Sequence, residues 1–167
     1  MNCSIVIRAY NEEKHIGRLL EGIRHQTFRN VEIILVDSGS TDSTVEIAES
    51  YGAHIVHIAP GEFTFGRSLN YGIREANSEY VVIASAHVYP VYPDWLESLL
   101  RPFEDDKIAL TYGKQRGPET ARPPSPPPAR AASARALAAS VQTVPVGEFD
   151  LIASFEELLG PRGERLV

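Results

Sequence analysis

Hydrophobic positions in the first two thirds of the chain predict strands and helices in alternation. Short apolar runs rich in β-branched residues are typical of buried strands, and apolar residues three or four positions apart are typical of one helix face. The predicted strands are residues 3–9, 31–36, 54–58, 80–84 and 108–112. The predicted helices are residues 16–23, 42–51, 68–76 and 93–103. This order predicts an α/β fold with a mostly parallel sheet flanked by helices.

A parallel sheet of this kind binds ligands beyond the carboxyl ends of its strands. That rule selects the segments following four of the predicted strands as candidate site segments, namely residues 10–12, 37–42, 60–67 and 85–87.

Composition narrows the class of protein. The chain has 167 residues, of which 43% are hydrophobic and 23% charged, as expected for one soluble globular domain. The net charge of −6 gives no basic footprint, so nucleic acid is not expected as a partner. Cys3 is the single cysteine, which excludes an intrachain disulfide and fits a cytoplasmic location. We expect no signal peptide and no membrane span.

The composition changes abruptly after Arg116. Residues 118–147 are rich in Pro, Ala, Arg and Ser, which predicts a linker or disordered segment. Residues 148–167 predict a short helical tail, because Phe149, Ile152, Phe155 and Leu159 recur at helical spacing. The predicted nucleotide-binding domain therefore covers residues 1–117.

Two polar positions at the predicted strand ends have alternative interpretations. Asn11 and Glu12 either reach a ligand at the sheet edge or stabilise the start of the first helix, Asn11 as its cap. Asp37 either accepts hydrogen bonds from a base or ribose or caps the turn formed by Ser40, Thr41 and Asp42.

Three segments together resemble the donor-binding half of the family 2 glycosyltransferases. They are the opening Ser4–Glu12, the Gln26-Thr27-Phe28 turn, and Asp37–Asp42, which is similar to the family's Asp-Asp-Gly-Ser-Thr-Asp signature. The resemblance implies a Rossmann-like GT-A fold that binds a nucleotide-diphosphate-sugar. It implies contacts with the nucleoside from Ala9, Tyr10, Asn11, Asp37 and Ser38. Ser38 replaces the second acid of the signature, so the base is left open.

The segment Gly66–Gly72 resembles the stretch where the family places a basic residue near the donor diphosphate, which implies that role for Arg67. A competing interpretation is a P-loop, because Gly61–Ser68 approximates its pattern. Glu62, the bulky Phe63 and Phe65, and the missing lysine all weigh against an NTPase.

The family's acidic metal-binding element is replaced here by Ser85, Ala86 and His87. Without the acidic pair, dependence on Mn²⁺ or Mg²⁺ does not carry over from the resemblance. His87 is the candidate metal ligand, and it is alternatively a direct hydrogen-bond donor to phosphate.

The resemblance implies an inverting glycosyltransferase that acts in polysaccharide or glycan synthesis. It implies a glycan or lipid-linked acceptor and peripheral association with the cytoplasmic face of a membrane. Inversion needs a general base, and no carboxylate beyond Arg116 matches a family motif, so none is assigned. The alternative is an inactive nucleotide-sugar-binding fragment, and the abrupt change of composition suggests a frame change that truncated a longer enzyme.

Overall fold

The computed structural model describes residues 1–113 and the strand Val141–Pro145. Contacts between Cα atoms divide the chain into two compact units, Met1–Glu97 and Ser98–Val167, which we describe separately. Within the described residues, no helix is both long and apolar enough to cross a membrane.

The first unit is built on a parallel sheet of four strands. These strands are β1 (Cys3–Ala9), β2 (Val31–Asp37), β3 (His54–His57) and β4 (Tyr80–Ser85). They lie in the order β3-β2-β1-β4, and every neighbouring pair is parallel. Residues at the ends of β1, β2 and β4 therefore meet at one edge, as the predicted α/β class requires.

Helices connect the strands as the hydrophobic pattern predicts. They are α1 (Ile16–Arg24), α2 (Thr44–Ser50), α3 (Phe65–Glu75) and α4 (Trp95–Leu100), and the second unit begins within α4. The four positions that predict the inner face of α1, Ile16, Leu19, Leu20 and Ile23, are all buried. The core of the first unit is centred on β1 and β2, whose central residues are fully buried.

The prediction for the inner face of α3 is partly wrong. Leu69 is buried, but Ile73 is 37% exposed, and the buried positions beside Leu69 are Ser68 and Gly72. Small residues face the sheet because α3 lies so close to β1 and β2 that larger side chains do not fit.

The fifth predicted strand exists, but its expected place in the parallel sheet is wrong. Strand β5 (Ile108–Gly113) pairs antiparallel with β6 (Val141–Pro145) in a separate two-stranded sheet. An apolar run predicts a strand without identifying its partner, and this partner lies in the Pro/Ala-rich segment 118–147. The rest of that segment and the predicted helical tail, residues 148–167, lie outside the described residues.

Candidate functional site

The Asp37 carboxylate organises the turn that follows β2. It accepts hydrogen bonds from the backbone N–H of Gly39 at 3.1 Å and of Ser40 at 3.1 and 3.2 Å. Gly39 is needed because its φ of 91° is left-handed and an added Cβ would lie 2.9 Å from Pro60 Cγ. Asp37 is only 2% exposed. Of its two predicted roles, the structure shows the turn cap, and contact with a nucleotide stays a prediction.

Asn11 joins the loops that follow β1 and β2. It adopts a left-handed φ of 54°, which asparagine tolerates better than most residues. Its N–H donates to Ser40 Oγ at 2.9 Å, and its Oδ1 accepts from the Thr41 N–H at 2.8 Å. Since α1 begins at Ile16 with His15 as its N-cap, the interpretation of Asn11 as a helix cap is wrong. Asn11 instead holds two site loops together.

The next two residues strengthen this connection. The Glu12 N–H donates to Thr44 Oγ1 at 2.7 Å, the Glu13 N–H donates to Asp42 Oδ2 at 3.1 Å, and the Ser43 N–H donates to Glu13 Oε2 at 3.1 Å. Desolvation raises the pKa of Asp42, but hydrogen bonds from Thr44 and the Glu13 N–H outweigh it, so the pKa lies below its ordinary value. The two loops therefore form one hydrogen-bonded layer.

The segment after β4 reaches the same layer through His87. Its Nδ1 lies 3.5 Å from Glu12 Oε1, and its side chain is 62% exposed. The Ser85 Oγ lies 3.4 Å from Nδ1 and 3.3 Å from Nε2 of the same ring. Ala86 is 1% exposed, which leaves its side chain in the core. The structure thus brings Glu12 and His87 together, a contact that the sequence pattern does not predict.

A second histidine lies beside Asp37. His57 ends β3 opposite Asp37 in the parallel register, and its Nδ1 lies 3.3 Å from Asp37 Oδ2. In the sequence, His57 does not lie at a metal-ligand spacing from other histidines, so no site role is predicted for it. Its position at the carboxyl end of a predicted strand is the signal that would have found it.

The residues predicted to face a nucleoside differ in exposure. Tyr10 is 57% exposed at the sheet edge and free to stack on a planar ligand. Ala9 is buried, and its carbonyl accepts a hydrogen bond from the Ser38 N–H at 3.1 Å. The Ser38 Oγ is buried and has no hydrogen-bond partner among the described residues.

The loop before α3 places Arg67 but does not form a P-loop. The N–H groups of Glu62 and Phe63 donate to carbonyls at the Pro60–Glu62 turn, at 2.9 and 3.3 Å. The Arg67 N–H donates to Thr64 Oγ1 at 3.1 Å. A P-loop needs free amides to surround phosphate, so this geometry opposes the NTPase interpretation. Among the described residues, the exposed Arg67 guanidinium donates a hydrogen bond only to the Glu62 carbonyl, at 3.3 Å.

The Gln26-Thr27 turn supports the segment that follows His87. Gln26 is 2% exposed, its Oε1 accepts from the Leu96 N–H at 3.1 Å, and its Nε2 donates to the Tyr92 carbonyl at 3.0 Å. The Thr27 N–H donates to the Pro93 carbonyl at 2.7 Å. This turn therefore has a structural role, fixing the start of α4.

A cavity of about 570 Å³ lies away from this edge, lined by residues of α1, β2, the end of α2 and the adjoining loops that include Arg24, Arg29 and Tyr51. None of the predicted site residues lines it. We therefore place the candidate site at the carboxyl edge of the sheet, where the loops converge, rather than in the cavity.

The chain is similar in sequence to known glycosyltransferases. The sequence model of glycosyl transferase family 2 matches residues 4–146. The chain is 34% identical over 111 residues to an uncharacterized glycosyltransferase of Rickettsia typhi, covering 65% of this chain and 35% of that protein. It is 33% identical over 122 residues to the O-antigen chain rhamnosyltransferase WbaN of Salmonella anatum, covering 72% of this chain and 39% of that protein.

The fold is similar to that of glucosyl-3-phosphoglycerate synthase from Mycobacterium tuberculosis in complex with Mn²⁺, uridine diphosphate and glucosyl-3-phosphoglycerate. The TM-score is 0.53 at 28% identity, covering 61% of this chain and 39% of that structure. The chain thus spans little more than a third of the proteins it resembles. Since the family model matches well over half of its residues, the chain belongs to glycosyl transferase family 2.

Proposed function

We propose that this chain binds a nucleotide-diphosphate-sugar at the carboxyl edge of its parallel sheet and transfers the sugar, with inversion, to a glycan or lipid-linked acceptor. The observation that carries the proposal is the convergence of three loops at that edge. Asn11 joins the loops after β1 and β2, and Glu12 lies against His87 after β4. Parallel α/β sheets bind nucleotides there, and the related mycobacterial synthase binds uridine diphosphate.

The nucleoside faces the loops after β1 and β2 in this proposal. Tyr10, exposed and unpartnered among the described residues, stacks on the base. The loop held by Asn11 and the turn capped by Asp37 form the walls of the site. The buried Ser38 hydroxyl and the main chain of Ala9 supply polar contacts.

The diphosphate faces Arg67 and the Ser85–His87 segment. A guanidinium holds a phosphate through two parallel hydrogen bonds, and an imidazole N–H donates one. Ser85 Oγ lies within 3.4 Å of the His87 ring and adds a hydroxyl donor at the same place.

The side chains present do not fit a resident divalent cation. The mycobacterial synthase holds Mn²⁺, and hard cations of this kind take several oxygen ligands. The candidate ligand His87 has one carboxylate beside it, that of Glu12 at 3.5 Å. Within the part of the chain that the structure describes, no group of three or more metal-ligating residues is assembled. We infer that cationic side chains of the described residues meet the charge of the diphosphate instead.

Inversion requires a base that removes the proton of the acceptor hydroxyl as it attacks the anomeric carbon. Asp37 is buried and engaged by the Gly39 and Ser40 amides, and Glu12 lies against His87. Neither carboxylate is free to take that proton, so we assign the base to neither.

The acceptor class and the location are proposals of the same kind. WbaN acts in O-antigen chain synthesis by its name, which supports a polysaccharide or lipid-linked glycan as acceptor. We propose that the chain meets such an acceptor at the cytoplasmic face of a membrane, to which it binds from the surface.

Calorimetric titration of the full chain with UDP, GDP, dTDP, ADP and CDP tests the donor site. We expect one of them to bind, and Tyr10→Ala to weaken that binding about tenfold or more, because stacking a base on an aromatic ring contributes roughly 1–3 kcal/mol. Tyr112→Ala, which removes a tyrosine that is 50% exposed in the second unit, is the matched control and should change nothing.

Turnover is tested separately with the sugar-loaded form of the nucleotide that binds. Sugar release or transfer supports the enzyme, whereas tight binding without either would support the alternative of a non-catalytic nucleotide-sugar binder. Absence of binding by all five diphosphates would refute the proposed site.

A further inference from the structure

Arg8, at the carboxyl edge of the sheet, has no carboxylate partner among the described residues. Arg8 is the single charged residue of β1, and its partner in β4 is Ser85, the first residue of the segment proposed to face the diphosphate. Side chains alternate along a strand, so Arg8 shares a face with Val6, which lies beneath Gly72 of α3. Arg8 therefore lies on the α3 side of the sheet.

The surroundings of the Arg8 guanidinium leave it partly unsatisfied. It is half-buried, and its Cζ lies 4.3 Å from the centre of the Phe65 ring. Its Nε is buried and has no hydrogen-bond partner among the described residues. No carboxylate of those residues forms an ion pair with it. Burial lowers the pKa of Arg8, and a buried donor without a partner is rare enough in native proteins to need an explanation.

A second buried polar atom without a partner lies on the neighbouring strand end. Among the described residues, Arg8 Nε and Ser38 Oγ are the only buried side-chain polar atoms without a hydrogen-bond partner. Ser38 directly follows β2, and its N–H donates to the Ala9 carbonyl at the end of β1. Two such donors on adjacent strand ends call for an acceptor that the described residues do not supply, and a bound anion would be one.

The start of α3 adds charge of the same sign. Phe65, which stacks on Arg8, is the first residue of this 11-residue helix, and its first turn contains Arg67 and no acidic residue. The first turn of α3 thus carries the positive end of the helix dipole and Arg67, and its first residue contacts the Arg8 guanidinium.

We propose that Arg8, stacked on Phe65, binds the diphosphate of the donor and, together with Arg67, supplies the positive charge that a divalent cation provides in metal-dependent relatives. The inference rests on the proposed function. Phe65 holds the guanidinium plane by a cation–π contact, which leaves its N–H edge to form paired hydrogen bonds with phosphate oxygens. Partial burial strengthens the attraction, because solvent and salt screen it less than at an open surface.

The test compares Arg8→Met with wild type, using the full chain and the diphosphate among UDP, GDP, dTDP, ADP and CDP that binds wild type most tightly. Methionine keeps the apolar part of the side chain in place and removes the guanidinium. Arg74→Met is the matched control, because Arg74 also contacts a ring, that of Tyr71 at 5.9 Å, but lies in the last turn of α3. Binding of the matching nucleoside, followed by ligand-observed NMR, reports the base side of the site alone.

We expect Arg8→Met to weaken diphosphate binding about 30-fold, roughly 2 kcal/mol at 1.4 kcal/mol per tenfold change in Kd, with nucleoside affinity unchanged. Arg74→Met should bind as wild type does. Wild-type affinity should be the same in EDTA and in Mn²⁺, within about threefold.

Three results would overturn the inference while leaving the donor site intact: an Arg8→Met variant that binds the diphosphate as wild type does, equal losses for nucleoside and diphosphate, or wild-type binding that EDTA abolishes and Mn²⁺ restores. If wild type binds none of the five diphosphates, the proposed function itself fails, and the two failures are thereby distinguished.

Discussion

Gly72 allows α3 to lie directly on the sheet, and its replacement by alanine tests how this helix is positioned. An added Cβ would overlap Val6 Cγ1 in β1 and lie 2.8 Å from Val36 Cγ2 in β2. Both valines are fully buried, and β-branched side chains have few alternative rotamers. The helix would therefore have to move away from the sheet, carrying Phe65 and Arg67 in its first turn.

The expected loss of stability follows from two opposing effects. Forcing an extra methyl group into a packed core costs about 1–3 kcal/mol, and two close contacts favour the upper end of that range. Alanine is a better helix former than glycine by about 1 kcal/mol, which offsets part of this cost. We expect Gly72→Ala to lower the free energy of unfolding by about 2 kcal/mol, which lowers Tm by roughly 4–8 °C for a chain of this length.

Urea unfolding followed by far-UV circular dichroism measures this change. Gly61→Ala is the control, because nothing lies within 4 Å of the added Cβ, and it should stay within about 0.5 kcal/mol of wild type. Val6→Ala removes one of the overlapping side chains. The double variant should therefore lose about 1 kcal/mol less free energy of unfolding than the two single variants lose together. A Gly72→Ala variant as stable as wild type, or strictly additive changes, would refute the reasoning.

Three further predictions concern single side chains. Asn11→Ala should destabilise the fold by about 1 kcal/mol more than Asn11→Gly, because glycine accepts the left-handed φ, and equal free energies of unfolding would contradict this. Hydrogen bonds from Ser4 and Asn77 lower the pKa of Glu32 in the folded chain. The stability that they contribute is therefore present above the pKa of Glu32 in the unfolded chain, and it is lost as the pH falls through its pKa in the folded chain. Glu32→Gln should therefore be less stable than wild type at about pH 7, with a difference that shrinks in acid, and a constant difference would count against the contact. Burial raises the pKa of Cys3 to about 11, so Ellman's reagent should label it only after unfolding, and fast labelling of the native chain would show the thiol is not buried.

The sequence predicts the central sheet well because burial determines its pattern. Strand β1 has the predicted bounds, and the four residues predicted to form the inner face of α1 are buried. The pattern fails in α3, where Gly72 rather than Ile73 faces the sheet, since hydrophobicity does not identify the small residues that a close helix contact requires. It also fails for the pairing of β5, because a strand's partner depends on contacts between residues far apart in the chain.

The place of the site is likewise predictable, but its contacts are not. Turn and capping residues after predicted strands locate the carboxyl edge, and the family model confirms the resemblance that those motifs carry. The pair formed by Glu12 and His87, and the stacking of Arg8 on Phe65, depend on side-chain rotamers and on how loops fold back. Arg8 can nevertheless be recognised in the sequence, since a single charged residue in a buried strand needs a compensating partner.

Two guanidinium groups without a carboxylate partner among the described residues favour an anionic ligand at the edge of the sheet, even though the chain as a whole carries a net charge of −6. The carboxylates of this edge are already engaged: Asp37, Asp42 and Glu13 accept hydrogen bonds from loop amides, and Glu12 lies beside His87. Its two guanidinium groups, those of Arg8 and Arg67, have no carboxylate partner among the described residues. Two cations are thus available to a diphosphate, while none of these four carboxylates is free to act as a base. The guanidinium groups at this edge favour binding of the donor. Because the carboxylates beside them are engaged, the proton of the acceptor hydroxyl has to be removed by another group.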